Sequence, residues 1–400
     1  MAGRHFLFVP GPTNVPERVL SAMHRSMEDH RSSAFPALTL GLLRDLRPVF
    51  GTERGRTVIF PATGTGGWEV ALTNCCRPGD TVLAVRNGQF SHLFADAATR
   101  LGFVVETIDV EWGEGVPDER LAARLAEDRD GRIAAVLVVH NETATGVRSD
   151  IGGVRAAMDS ADHPALLFVD GVSSIGSMPF RMDDWRVDVA ITGSQKGLML
   201  PAGLAIVCLS ERAERIACEP GGARAFFDLR PMMAQNDEGY TPYTPPLSLF
   251  FGLRAVLDIF AEETLDAVYR RHVRLASGVR AAVDAWGLEL CARAPELYSD
   301  TVTAIVVPAD ADARRVIDVA FRRYDLSLGG GLARLAGRVF RIGHMGDLNE
   351  LMLMGALGGV EMALLDAGIH VEPGSGVAAA QRYWRTAPSP DRAMAHEVTA

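Results

Sequence analysis

Three short stretches of this 400-residue chain hold side chains whose chemistry could converge on one bound molecule. In Phe60-Pro61-Ala62-Thr63-Gly64-Thr65-Gly66-Gly67-Trp68 an apolar run gives way to small residues and then to a helical pattern. Glycines let backbone N–H groups approach an anion, and a helix N-terminus adds positive potential, so this turn has the build of a phosphate cradle. No Gly-Lys-Ser/Thr follows, and the glycine spacing fails the dinucleotide fingerprint. A tight strand-to-helix turn without a ligand accounts for the same residues equally well.

The second stretch is Phe168-Val169-Asp170-Gly171-Val172-Ser173-Ser174. A carboxylate after a buried apolar run is costly unless it meets a cation or a donor. A protonated pyridine nitrogen would meet that need, and the pair would keep the ring electron-withdrawing. The plainer use of Asp170 is a helix N-cap. The third stretch is Thr192-Gly193-Ser194-Gln195-Lys196-Gly197, followed by the apolar, Gly/Pro-rich Leu198–Gly203. Desolvation would lower the amine pKa of Lys196 and free its lone pair for attack on a carbonyl. A solvated loop lysine is the ordinary alternative. The conjunction changes the odds: cradle, acid and lysine lie at the ends of apolar runs, on the edge where open α/β sheets bind ligands.

Those runs must position the three groups. Short β-branched segments at Thr57–Phe60, Thr81–Val85, Val104–Ile108, Ile133–Val139, Ala165–Val169, Val187–Thr192 and Leu204–Leu209 predict strands. Several are continuously apolar, as expected for strands covered on both faces. Amphipathic stretches at Gly67–Cys75, Ser91–Leu101, Glu119–Glu127 and Ile151–Ser160 predict helices between them. The fold class is therefore α/β, with a mostly parallel sheet covered by helices. From Pro245 a long helical stretch, Leu247–Ala285, leads into a smaller α+β pattern with strands near Thr301–Val307 and Val339–Ile342. A large domain over 15–255 and a small one from 1–14 with 256–385 are expected, the transition falling inside that helix. The N-terminal Phe6–Pro12 segment is extended and expected to pack on the C-terminal part, and 386–400, with Pro388 and Pro390, to form a loose tail.

Composition excludes several other classes. A net charge of −10 argues against non-specific nucleic-acid binding. No apolar segment has the length of a membrane span, and the start lacks a secretory apolar stretch. The five cysteines make neither a CxxC metal pair nor a disulfide framework, which fits reduced thiols in the cytoplasm. No metal site is expected.

Taken with His140-Asn141-Glu142-Thr143-Ala144-Thr145-Gly146-Val147, Asp170–Ser177 and the ends Pro10–Asn14 and Pro373–Ala380, the chain resembles the class V aminotransferases among the fold-type I pyridoxal phosphate enzymes. The resemblance runs over nearly the whole sequence. It is specific to the serine/alanine/aspartate–glyoxylate aminotransferase group, and strongest to bacterial serine–glyoxylate enzymes of one-carbon metabolism.

The resemblance implies pyridoxal 5'-phosphate held on Lys196, which also shuttles the proton of the 1,3-prototropic shift. It implies Asp170 on the pyridine nitrogen, Val172 on one ring face, Phe90 stacked on the other, and Thr143 on the 3′ oxygen. The phosphate would be held by the Thr63, Gly64, Thr65, Gly66, Gly67 turn with Gln195 and nearby Ser194. Across a homodimer, Thr244 and either Tyr240 or Tyr243 would reach the partner's phosphate. Arg341 would fork onto the substrate α-carboxylate, helped by the Gly11–Asn14 backbone, with His30 and Arg31 reaching the substrate side chain in the neighbouring site. The implied reaction is ping-pong transfer of an amino group from L-serine to glyoxylate, with aspartate or alanine as alternative donors. A cysteine desulfurase-like lyase fits less well, because relatives of that kind usually place a His before the lysine and another on the ring, where this chain has Gln195 and Phe90. A nicotinamide-dependent dehydrogenase would leave Lys196 without a role.

Overall fold

The computed structural model describes residues 3–219 and 222–387. The arm β1 (Phe6–Phe8) precedes the central sheet. That sheet is built from β2 (Arg56–Ala62), β3 (Thr81–Arg86), β4 (Val104–Asp109) and β5 (Ile133–Val139). A small hairpin, β6 (Asn141–Glu142) with β7 (Val147–Arg148), interrupts the succession, which resumes with β8 (Leu166–Asp170), β9 (Val189–Gly193) and β10 (Gly203–Leu209). The seven strands lie in the order β2-β10-β9-β8-β5-β3-β4. Only β10 runs against its neighbours, β9 and β2. Each parallel pair needs a crossover, so helices cover both faces.

Alternation along the strands divides the core in two. Val136 and Val138 of β5, with Leu167 and Val169 of β8, pack under the helices Phe35–Leu46 and Leu247–Glu263. Ala135 and Leu137, with Leu166 and Phe168, face the helices Gly64–Cys75 and Gln89–Arg100. Since successive side chains point to opposite faces, strands that are apolar throughout feed both cores.

A second sheet has the order β1-β13-β14-β12-β11, with β11 (Glu289–Leu290), β12 (Val302–Val306), β13 (Leu326–Gly330) and β14 (Val339–Gly343). As the sequence suggested, the N-terminal arm packs on the C-terminal part: β1 pairs parallel with β13, and Phe8 sits in the core formed with Ile305, Phe340 and Ile342.

Two expectations are corrected, and a third falls almost wholly outside the described residues. The helical stretch Leu247–Ala285 is two helices, Leu247–Glu263 and Leu265–Ala285. Thr264 separates them at φ +67°, its hydroxyl capping Ala267 N at 3.3 Å. Apolar spacing continues on both sides of the break, so periodicity does not reveal it. The helix expected from Gly67 begins one turn earlier, at Gly64. Three glycines mask its start because glycine is a poor helix former. The stretch expected as a loose tail from 386 has Thr386 as the last residue of the helix Ser375–Thr386, while 388–400 lie outside the described residues.

Candidate active site

The C-terminal ends of β2, β5, β8 and β9 open onto one cavity, lined by Gly11, Pro12, Thr63, Gly64, Thr65, Trp68, Phe90, Val139, Asn141, Thr143, Asp170, Val172, Ser173, Gln195 and Lys196. The parallel order places β8 between β5 and β9, so Asp170 lies between the segment carrying Thr143 and the one carrying Lys196.

Asp170 is the last residue of β8 and is buried. Its Oδ1 accepts from Val172 N at 2.8 Å, but no helix follows, so the bond closes a turn and the helix N-cap the sequence allowed is corrected. Its Oδ2 accepts from Trp68 Nε1 at 2.9 Å. Two donors do not offset the loss of water: burial pushes the carboxyl up to about 6, against the pull of Val172, Trp68 and the Lys196 charge. A cationic partner on the cavity side would reverse that shift. Trp68 stacks on Phe94 at 5.2 Å, and its indole N–H also fixes Asp170.

Lys196 follows β9 and donates from Nζ to the Pro10 carbonyl at 2.5 Å. Burial lowers its pKa to about 8, the Arg341 charge adding to the fall and Asp170 opposing it. Gly11 sits beside it at φ +115°, and a Cβ there would come within 2.3 Å of Nζ, so the arm can pass the lysine only as glycine.

The Gly64–Cys75 helix points its N-terminus into the cavity. Thr63, at its N-cap, makes no side-chain cap bond, so the first-turn amides keep their capacity for an anion. Gln195 lines the same wall with a buried Oε1 that no protein group satisfies. Gly66 and Gly67 do not line the cavity. A Cβ on Gly67 would strike Ile191 Cγ2 at 2.5 Å, so this glycine lets the helix approach the sheet. Ser194 is corrected: its hydroxyl donates to Pro201 O at 2.7 Å and accepts from Leu204 N at 3.0 Å, which commits it to its own loop.

Arg341 lies inside β14, not at an exposed strand end, and is buried. Its Nε donates to Gly330 O and its Nη1 to Thr143 O, both at 2.9 Å, so the guanidinium is held behind the wall residue Thr143, near enough for its charge to act on Lys196, though Arg341 does not itself line the cavity. Asn14 donates to Leu7 O at 3.0 Å and does not line the cavity. Nor do His30, Arg31, Tyr243 and Thr244: the His30 ring lies edge-on to Phe35, and Tyr243 donates to Ala225 O at 3.0 Å. Tyr240 stands over the Ser32 carbonyl at 3.4 Å.

Two wall residues escaped the sequence reading. Asn141 donates from Nδ2 to the Ser173 and Thr301 hydroxyls at 2.8 and 2.9 Å, leaving Oδ1 buried without a protein partner. Ser173 in turn donates to Asn141 O at 2.7 Å. Both lie in motifs already singled out, and a polar side chain directly beside a strand end was the available signal.

A cavity with an acid that needs a cation, a desolvated lysine and an unfilled helix N-terminus fits pyridoxal phosphate at all three of its ends. The family model for class-V aminotransferases matches residues 5–319. The chain belongs to that family. It is 56% identical to the serine–glyoxylate aminotransferase of Methylorubrum extorquens, over 96% of this chain and 97% of the relative. It is 50% identical to the L-aspartate–glyoxylate aminotransferase of Paracoccus denitrificans, over 96% and 97%. Among solved structures, an alanine–glyoxylate aminotransferase from Nostoc superposes with a TM-score of 0.85 at 32% identity, covering 91% of this chain and 96% of its own. This class V chain is thus an aminotransferase with a fold-type I architecture and pyridoxal phosphate as its cofactor.

Proposed function

We propose that this aminotransferase moves the amino group of L-serine to glyoxylate, giving hydroxypyruvate and glycine by a ping-pong route. The observation that carries the reading is the meeting of Lys196, Asp170 and the Gly64–Cys75 N-terminus in one cavity, with Arg341 bonded to the backbone of its wall residue Thr143. The high identity to a serine–glyoxylate aminotransferase supports the substrate pair.

When bound, pyridoxal phosphate supplies a carbonyl for the amine and an electron-withdrawing ring. Lys196 Nζ would anchor it and, as the free amine, would take and hold the proton from the donor's Cα. Its pKa near 8 keeps a useful fraction of neutral amine at neutral pH. Asp170 holds the proton on the ring nitrogen. Thr63, Gly64, Thr65 and Gln195 hold the phosphate, Gly66 and Gly67 allowing the helix to sit where its amides can do so. Val172, Phe90 and Thr143 line the same cavity and would enclose the ring and its 3′ oxygen. Arg341 reads the α-carboxylate with the guanidinium hydrogens that Gly330 and Thr143 leave free. Glyoxylate has no side chain to clash, so one pocket serves both half-reactions.

Division into domains of 15–255 and 1–14 with 256–385, and a homodimer, belong to the same reading. His30, Arg31, Tyr243 and Thr244 stand outside this chain's own cavity, and we assign them to the site of a second copy. A cytoplasmic setting in one-carbon metabolism fits cysteines that are all free, and no described helix is long and apolar enough to cross a membrane.

Purified protein is expected to be yellow, with borohydride bleaching the band. Steady-state rates with serine, aspartate and alanine against glyoxylate should rank serine first in kcat/KM; a higher value for aspartate or alanine would replace the donor. Lys196→Ala should abolish turnover with every donor.

A further inference from the structure

We propose that Glu142 is a positioning residue of the aminotransferase site, its buried carboxylate clamping the helix that carries Phe90 to the segment that carries Thr143 and holds Arg341. The inference rests on the roles assigned above to Phe90 and Arg341. Glu142 is fully buried and does not line the cavity. Its Oε2 accepts from Phe90 N at 2.9 Å and Ser91 N at 3.0 Å, at the N-terminus of the Gln89–Arg100 helix. Its Oε1 accepts from Ala144 N at 3.0 Å, in the turn after β6. One side chain thus ties together two backbone segments that are distant in sequence. Between its neighbours, Thr143 turns its carbonyl to Arg341 Nη1 at 2.9 Å.

The space around the carboxylate is fitted to it. A Cβ on Gly88 would lie 2.2 Å from Glu142 Cγ, although Gly88 is in extended backbone that any residue adopts. Glycine is needed there for room alone. The charged groups facing Glu142 are Asp170, which opposes its ionisation, and Arg341, which feels its charge across the segment. Three amide donors converge on the two oxygens. Glutamine offers a single acceptor oxygen, so Glu142→Gln turns an N–H group toward at least one of those amides. The ring wall at Phe90 and the guanidinium at Arg341 should then move together.

The test uses holoenzyme and two readouts. The visible absorption band of the bound cofactor reports the ring wall. Binding of α-methylserine, which has no Cα proton to lose, reports Arg341 without turnover. Glu142→Gln is expected to shift the band and to weaken α-methylserine by about tenfold or more, and Gly88→Ala, which keeps the charge but displaces the carboxylate, to do the same. Combined with Arg341→Lys, Glu142→Gln should add less than about twofold to the weakening. An unchanged band with affinity within about twofold of the unaltered enzyme overturns the proposal, as does weakening that simply multiplies with that of Arg341→Lys. If Glu142→Gln does not fold, Gly88→Ala decides by the same readouts. If Arg341→Lys alone leaves α-methylserine binding intact, the role of Arg341 fails instead, and the band still tests Glu142 at Phe90.

Discussion

Lys196 needs a low pKa and Asp170 must remain able to hold a charge, and one buried edge serves both. Burial alone would push the two toward neutrality, the amine down to about 8 and the carboxyl up to about 6. Each favours the charged form of the other, and Arg341 biases the lysine further toward its free base. Capture of the cofactor by apoenzyme requires neutral amine. Its rate should therefore rise with pH through about 8 and level off, where a lysine of ordinary pKa would still be climbing past pH 10. Stopped-flow absorbance across pH 6.5–9.5 checks this, and a profile still rising at the top would contradict the desolvated lysine (~1.4 kcal/mol per pH unit). Gly11→Ala places a methyl against Nζ at a φ of +115°. Its capture rate should fall at every pH rather than shift along the axis. Lys196, Asp170 and Thr143 were all legible in the sequence. Trp68 was not legible as a partner: nothing local told that its N–H would reach Asp170, 102 positions along the chain.

Among the elements, the helix after β2 shows how backbone placement serves the ligand. Its N-terminus reaches the cavity because Gly67 lets it ride close over β9, against Ile191. Gly67→Ala improves helix propensity by about 1 kcal/mol, yet the Cβ collides at 2.5 Å, and overpacking of that kind costs about 1–3 kcal/mol. The net expectation is lower stability together with weaker phosphate holding. Thermal melts of apoenzyme and inorganic-phosphate protection assays measure the two separately; a stabilised variant with intact phosphate protection would show that the helix has room to spare. The start of this helix was misplaced in the sequence reading, and the break at Thr264 was not foreseen. Propensity and periodicity describe residues one turn apart, whereas these boundaries depend on what the helix meets in space. The strands fared better, since Ile133–Val139 and its neighbours announce burial on both faces by composition alone.

At the scale of the whole molecule, three histidines among the described residues are buried within polar networks. His140 bonds Ser174, His272 bonds Val268 O and Gly346 N, and His344 bonds Thr303 and Asp300 O. Burial holds each at about 3, well below the ordinary value of 6.5. The native state therefore binds fewer protons than the unfolded chain, so stability present above pH 6.5 is lost as pH falls toward 3. Asp170 and Glu142, raised to about 6 and 7, work in the opposite sense: protonation relieves their burial over the same range. Asp118 and Asp300 are raised in the same sense, whereas Asp45, Asp109, Asp128 and Asp228 are held low and add to the histidine loss in acid, so the apoenzyme melting temperature should drop from pH 6.5 to pH 4.5. His272→Gln should make that drop shallower; an equal slope would mean that His272 is not held neutral.

The residue types at strand ends, the apolar runs before them and the motif company they keep were enough to specify an α/β aminotransferase with Lys196 and Asp170 at its centre. Those features are local, and burial on both faces of a strand leaves a local trace in composition. Which oxygens meet which donors was settled by folding. The engagement of Ser194 by its own loop, of Trp68 by Asp170, of Arg341 by the Thr143 carbonyl and of Glu142 by two distant segments joins residues up to 198 positions apart. A hydrogen bond depends on a few tenths of an ångström between groups brought together by packing, and no spacing along the chain encodes that distance.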